Sequence, residues 1–283
     1  MGFDVFLTDP YFRRVLLTAL VVAAVAGALG VFLVLRQLSL LGDGIAHVAF
    51  GGIAIAFFAN LAPLPASLVF ASAGALVIQE LRRRGLVKGD AAIGIIFTGS
   101  LALGYMLIAK GRVRVDVESY LFGNLLFTTS ADLTLALVTA GVVALVLLAL
   151  WRPLFAVTFD AEAAEVSGLP LVALETVFTL LSAASIVIAA RVVGVLLVSA
   201  LVVVPAATAL QFARGFRAAL VLSPLIALGT VVLGTVVSAT WVFPAGASIA
   251  IVSGGVFLVA SLVARALRAG RGRRAPTGGR CPP

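Results

Sequence analysis

Residues 38–58 read LSLLGDGIAHVAFGGIAIAFF, an otherwise apolar run that carries an Asp and the chain's single His four positions apart. On a helix, positions i and i+4 share a face, so Asp43 and His47 point the same way. A carboxylate beside an imidazole binds borderline divalent cations such as zinc, manganese or iron. Placing either group in hydrocarbon is costly, so an intramembrane Asp–His pair is a functional-site hypothesis by default. From the residues alone a second reading stays open: a polar pair satisfying itself inside a bundle, or Asp43 capping a helix that starts after Gly42. Gly42, Gly44, Gly51 and Gly52 let other helices approach closely, which predicts a helix at the packed centre, away from lipid. Two side chains do not complete a zinc site, which usually takes four ligands, so further donors must come from elsewhere in the chain, from water or from a partner. Incomplete ligation suits transport, because an ion held tightly does not leave.

The rest of the chain agrees with a membrane setting. Of its 283 residues 62% are hydrophobic and 11% charged, and the mean hydropathy is +1.21. A soluble domain carries about 25% charged residues. The apolar residues fall in long blocks and not in the alternation of a half-buried sheet. A spanning helix needs about 20 such residues, each adding about 1.5 Å across a core of about 30 Å. The fold expected is all-α, a polytopic transmembrane helical bundle.

Nine apolar segments are candidates: 15–35, 43–60, 63–80, 91–109, 131–150, 172–190, 192–210, 218–240 and 245–265. Pro63 and Pro65, the run LRRRGLVKGD (81–90) and Phe243-Pro244-Ala245-Gly246 punctuate them. If all nine cross and the C-terminus is cytoplasmic, fourteen basic residues fall inside and six outside, as the positive-inside bias requires. Arg13 and Arg14 fit better inside, which needs an even count. Segment 43–60 is interrupted by Asp43 and His47, and only Arg191 separates the pair within 172–210. Eight or nine spans are therefore expected, with the side of the N-terminus open. The expected organisation is an N-terminal segment (1–14), a transmembrane domain (15–265) and a basic tail (266–283). From Gly270 the tail is rich in Gly, Pro and Arg and is expected to be disordered.

Several function classes drop out. The formal charge of +8 reflects helix-end residues and the tail, which suits anionic membrane lipids and not nucleic acid. The lone Cys281 permits no internal disulfide. Met1–Pro10 lacks a signal-peptide layout, so insertion through the helices themselves is expected. G-x-x-x-x-G-K-[ST], GxSxG and HExxH are all absent from the sequence, so it carries neither a phosphate-cradling P-loop nor a hydrolase signature.

Three other groups of residues bear on function. Asp116 and Glu118, in VRVDVESYLFGN (113–124), could attract cations or touch a delivering partner; a solvated loop countered by Arg112 and Arg114 is the plainer reading. Glu175 is either intramembrane or an interfacial residue at a helix N-terminus, where the dipole favours negative charge. Pro205 invites a kink in VSALVVVPAATALQFARGFRAAL (198–220). After it, Gln211, Phe212, Arg214, Gly215, Phe216 and Arg217 form either a basic inter-helix loop or a docking helix for a cytoplasmic motor subunit.

Four local patterns in this order and spacing resemble the permease subunits of bacterial ABC importers for zinc, manganese or iron. They are SLLGDGIAHVAFGGIAIAF (39–57), VDVESYLFGNLL (115–126), VVGVLLVSALVVVPAATA (192–209) and FPAGASIAIVSGGVFLV (243–259). The resemblance covers about residues 12–265. It implies a homodimer with the ion path at the interface, a cytoplasmic ATP-binding subunit below and an extracytoplasmic metal-binding protein above. It also implies the bacterial cytoplasmic (inner) membrane, with the transported metal as cargo, no permanently bound cofactor, and ATP held by the partner subunit. Asp43 and His47 match the family's G-D-x-x-x-H motif, and 211–218 matches its ATPase-coupling region. The AHVAFGGIA and PAGAS variants look more like the zinc branch than the manganese branch. The rivals are a manganese or iron permease of the same family, a gradient-driven secondary cation carrier, and a membrane scaffold in which the pair is structural.

Overall fold

The computed structural model describes residues 9–87, 89–110, 129–241 and 243–272. Among these residues there is no strand; the elements are eleven α-helices and one 3₁₀ turn. In chain order the helices are α1 (Pro10–Leu35), α2 (Leu41–Phe58), α3 (Pro63–Arg83), α4 (Gly89–Lys110), α5 (Ser130–Ala149), α6 (Trp151–Phe159), α7 (Ala161–Val166), α8 (Leu171–Val193), α9 (Val198–Phe212), α10 (Phe216–Trp241) and α11 (Ala245–Gly272). The 3₁₀ turn, Val195–Leu197, precedes α9. All but α6 and α7 are long and apolar enough to cross a bilayer, which gives nine candidate spans among the described residues.

Local chemistry sets the helix ends. Asp9 caps α1, its Oδ1 accepting from Tyr11 N at 2.8 Å, and Pro10 occupies the first turn, where a missing N–H costs nothing. The first helix thus starts five residues before the expected segment. Thr129 and Asp132 form a reciprocal capping box at the head of α5. Asp160 breaks α6 from α7 in an extended conformation and caps the latter, accepting from Ala163 N at 2.9 Å. Gly194, at φ +105°, makes the sharp turn between α8 and the 3₁₀ turn, a backbone conformation that a side chain would strain. The apolar stretch 172–210 is therefore two helices. At the other extremity α11 runs through Gly272, past the boundary composition placed at 265.

Small residues build the centre. Helix α2 is the most buried of the nine candidate spans, and Gly44, Gly51 and Gly52 receive α3 and α4, whereas Gly42, also expected at a close approach, has nothing within 4 Å of its ideal Cβ. A Cβ on Gly52 would lie 3.0 Å from Ser67 Cα, and one on Gly51 3.0 Å from the Ser100 carbonyl oxygen. Helix α1 is held in the same way: Gly30 faces the Val202 carbonyl of α9, and the Gly27 carbonyl accepts from Ser223 Oγ of α10 at 2.7 Å. In an apolar solvent such close approach, with an occasional interhelical hydrogen bond, supplies the packing that water would otherwise drive.

Contacts between helix ends sort the loops. Arg36 Nε bonds Thr158 Oγ1 of α6 at 3.1 Å, and Gln211 Nε2 bonds Ser261 Oγ of α11 at 3.1 Å. The Phe216 ring packs on Phe32, Trp151, Phe155 and Phe159. One end of the bundle thus gathers Arg36, Arg152, Arg214 and Arg217. The opposite end carries an ion pair, Arg191 Nε to Asp132 Oδ1 at 2.8 Å, joining α8 to α5.

Candidate metal site and motor-facing surface

Asp43 and His47 do lie on one face of α2, in its first two turns. The capping alternative fails: Leu40 holds the N-cap position, and Asp43 sits inside the first turn. His47 is only 6% exposed. Its Nδ1 lies 2.8 Å from the main-chain oxygen of Asp43. A carbonyl only accepts, so Nδ1 is the donor, and in the neutral ring Nε2 is the nitrogen with a lone pair. Among the described residues no hydrogen bond occupies Nε2. The ring packs edge-on against Phe97 of α4, with centroids 4.3 Å apart and planes at 61°, which fixes its orientation a second time.

The Asp43 carboxyl is half-buried. The Ser199 hydroxyl, from the first turn of α9, and the His47 ring both act on it electrostatically. Ser199 was absent from the sequence-based candidates although it lies in VVGVLLVSALVVVPAATA. The signal available was a lone hydroxyl in an apolar run shortly after a helix-breaking Gly. Asp43, His47 and Ser199 offer oxygen and nitrogen donors of the kind divalent first-row metals take. No group of three or more His, Cys, Asp or Glu side chains converges among the described residues.

That last fact separates Glu175 from the pair. It is the fifth residue of α8, at the basic end of the bundle, where it acts electrostatically on Arg36 and Arg83. Burial pushes the Arg36 guanidinium below its ordinary value, and Glu175 opposes that push. Asp116 and Glu118 lie outside the described residues.

The stretch read as a docking helix is not one. Gln211 and Phe212 end α9, Ala213 is extended (φ −65°, ψ 130°), and Phe216 and Arg217 begin α10. Three linking residues are too few for a helical turn of their own. The short helices at this end are α6 and α7. Trp151, Arg152, Phe155 and Phe159 face Arg214, Phe216 and Arg217 across an open groove of about 690 Å³. The Arg217 guanidinium stands 5.9 Å from the Trp151 ring centroid. The sequence did hold a sign of this: Asp160 followed by a Glu/Ala-rich turn and Gly168 mark the start and stop of a short helix.

The manganese import system permease protein ScaB of Streptococcus gordonii is 31% identical over 254 residues, covering 90% of this chain and 91% of the relative. The high-affinity zinc uptake system membrane protein ZnuB of Haemophilus influenzae is also 31% identical, over 86% of this chain and 94% of its own. These relatives are permease subunits, which are transport components. Manganese and zinc permeases match at the same identity, so the lean toward the zinc branch is not reproduced. The structure of PsaBC from Streptococcus pneumoniae in complex with Fab superposes with a TM-score of 0.82 at 30% identity, over 91% of this chain and 93% of that one. The ABC 3 transport family model matches residues 8–264. With its all-helical fold and nine candidate spans, this multi-pass membrane chain belongs to the ABC 3 transport family.

Proposed function

We propose that the chain is the membrane-spanning permease subunit of an ATP-driven importer of divalent transition-metal ions, with Asp43 and His47 as donors to the passing ion. The observation that carries this reading is a buried His47 whose Nδ1 is held by the Asp43 carbonyl and whose Nε2 has no hydrogen bond among the described residues, beside a half-buried Asp43 carboxyl. Second-partner fixation of an imidazole is how metal-ligating histidines are prepared. Ser199 adds a hydroxyl oxygen from α9 beside the carboxyl.

One chain offers too few donors for a complete shell, so a second copy, water, or both fill it. A homodimer with two such pairs facing one another meets that need. The basic end, with Arg36, Arg152, Arg214 and Arg217, faces the cytoplasm of a bacterial inner membrane by the positive-inside bias, which also puts the C-terminus inside. The α6–α7 helices and the 211–217 turn then form the surface for the ATP-binding subunit. An extracytoplasmic metal-binding protein docks at the end where Asp132 and Arg191 pair.

The cargo is zinc or manganese. Carboxylate, imidazole and hydroxyl accept both, and the softer thiolates that favour zinc are missing from the set. Zinc, toward which the sequence leaned, stays in the proposal with manganese as its equal. The test is uptake of radiolabelled zinc and manganese into vesicles holding this chain, its ATP-binding subunit and its binding protein, with and without ATP. ATP-dependent uptake that vanishes in His47→Ala supports class and site together. Uptake driven by an ion gradient without the ATPase would move the chain to the secondary carriers. An assembled complex that takes up neither ion would leave Asp43–His47 as a structural pair.

A further inference from the structure

Arg36 is the C-cap residue at the basic end of α1, and its side chain turns inward. Its Nε donates to Thr158 Oγ1 at 3.1 Å, while the same hydroxyl donates to the Leu154 carbonyl at 2.6 Å. The guanidinium carbon stands 4.8 Å from the Phe178 ring centroid of α8. Phe178 in turn packs on Phe32, and Phe32 on Phe216. Among the described residues, the buried Arg36 Nη2 has no hydrogen-bond partner. A buried unsatisfied donor is destabilising, so a site selected for stability alone would not favour this arrangement.

The backbone beyond Arg36 has no slack. Gln37 adopts a left-handed conformation (φ 56°), with its N–H bonded to Val34 O at 3.1 Å and that of Leu38 to Leu33 O at 2.8 Å. Leu41 N then bonds Leu38 O at 2.9 Å, and Gly44 N bonds Leu40 O at 3.0 Å. Leu38 thus bonds back into α1 through its N–H and forward to Leu41 through its carbonyl, which ties the end of α1 to the first turn of α2, where Asp43 lies. A displacement of Arg36 carries that turn with it. Thr158 belongs to α6, whose outer face lines the groove assigned above to the ATP-binding subunit.

We propose that Arg36 is the positioning residue through which α6 sets the place of Asp43 and His47, so that movement of the motor-facing surface changes the geometry presented to the ion. The inference rests on the importer reading. Arg36 touches no cargo in this scheme; it acts through the α1–α2 turn. Its two holds differ in kind. The Thr158 bond ties it to the surface that moves, and the Phe178 face supports it from the bundle.

The test uses the assembled complex in proteoliposomes, with Mn²⁺ or Zn²⁺, whichever the wild type carries. Metal imported per ATP hydrolysed is compared with metal bound by the nucleotide-free complex. Thr158→Val keeps the shape of the side chain and removes the acceptor; Thr158→Ser restores it; Arg36→Lys keeps the charge and loses the Nε donor. A fall of about tenfold in metal per ATP is expected for Thr158→Val and Arg36→Lys, the scale of one hydrogen bond to a charged group. Binding should be unchanged, and Thr158→Ser should return to near the wild-type ratio. A wild-type ratio in Thr158→Val overturns the proposal. So does a loss of binding that matches the loss of transport, or a failure of Thr158→Val to assemble, because either makes the bond structural. If the wild-type complex itself imports nothing with ATP, the importer reading falls and takes this inference with it, a failure visible before any variant is made.

Discussion

His47 Nδ1 and the main-chain oxygen of Asp43 stand 2.8 Å apart, so one of the two candidate donors is oriented by the backbone of the other. The imidazole is thereby committed to a single tautomer with its basic nitrogen at Nε2. Replacing His47 by Gln retains an amide that can reach the same carbonyl, yet it offers no imidazole nitrogen to a metal. The expected result is loss of metal binding by about 100-fold in both His47→Gln and His47→Ala, with the assembled complex still recovered intact. Titration of the purified complex with Mn²⁺ and Zn²⁺ measures it. The same titration should count one ion per two permease chains. A count of one ion per chain would mean that each chain completes its own shell.

Ser199 is the outer support of this site. A hydroxyl that bonds a carboxylate is worth about 1.5–3 kcal/mol, and Ser199 acts on Asp43 from a different helix. Ser199→Ala should therefore weaken metal binding by about tenfold, less than either donor substitution, whereas Ser199→Thr keeps the hydroxyl and should stay near the wild type. Equal effects of the alanine and threonine variants would point to crowding at α9 and not to the hydroxyl.

How much of this was legible in the chain follows from the range of each interaction. The spans were read from runs of apolar residues, a local property, and α2 was placed at the centre because Gly44, Gly51 and Gly52 have meaning only against a close neighbour. The Asp43–His47 pair was legible because one turn of a helix fixes it. Ser199 was not, since it meets Asp43 across some 150 positions of chain. Arg36 was counted only as a basic residue at a helix end. Its hold on Thr158 is likewise long-range. The short helices beside the 211–217 turn were missed for a different reason. Phe216 and its basic neighbours are conspicuous in sequence, and α6 with α7, apolar and acidic in turn, are conspicuous only once Asp160 is seen to cap a helix.

Gly30 tests the packing. A Cβ there would overlap the Val202 carbonyl oxygen and lie 3.2 Å from the Ala206 Cβ, so α9 would have to retreat from α1. Backbone cannot yield as a flexible side chain can, and overpacking of this kind costs about 1–3 kcal/mol or more. Gly30→Ala should lower the thermal unfolding temperature of the detergent-solubilised protein and, through α9, displace Ser199 from Asp43. Gly141 has nothing within 4 Å of its ideal Cβ. Gly141→Ala should leave stability unchanged or raise it by up to about 1 kcal/mol, the helix-propensity gain. Equal melting of the two variants would remove the close α1–α9 approach from the account.

The groove between α6 and the start of α10 is the surface proposed for the ATP-binding subunit. Arg152 and Arg217 flank it from α6 and α10, both are exposed, and the aromatic floor of Trp151, Phe155 and Phe216 lies between them. Exposed residues of this sort contribute little to folding, about 0.5 kcal/mol either way. They contribute more to an interface, where a complementary charge on the partner meets them. Arg152→Glu combined with Arg217→Glu should therefore leave the permease's own melting unchanged while co-purification of the ATP-binding subunit falls at least about tenfold. The salt dependence of whatever association remains should shrink as well, since the rim charges that produced it are gone. Substituting Arg265, on the last helix and away from the groove, should alter neither quantity. Retained co-purification in the double variant would return the docking role to another surface at this end of the bundle. It would also separate α6 from the motor, leaving the Arg36–Thr158 bond with nothing to transmit.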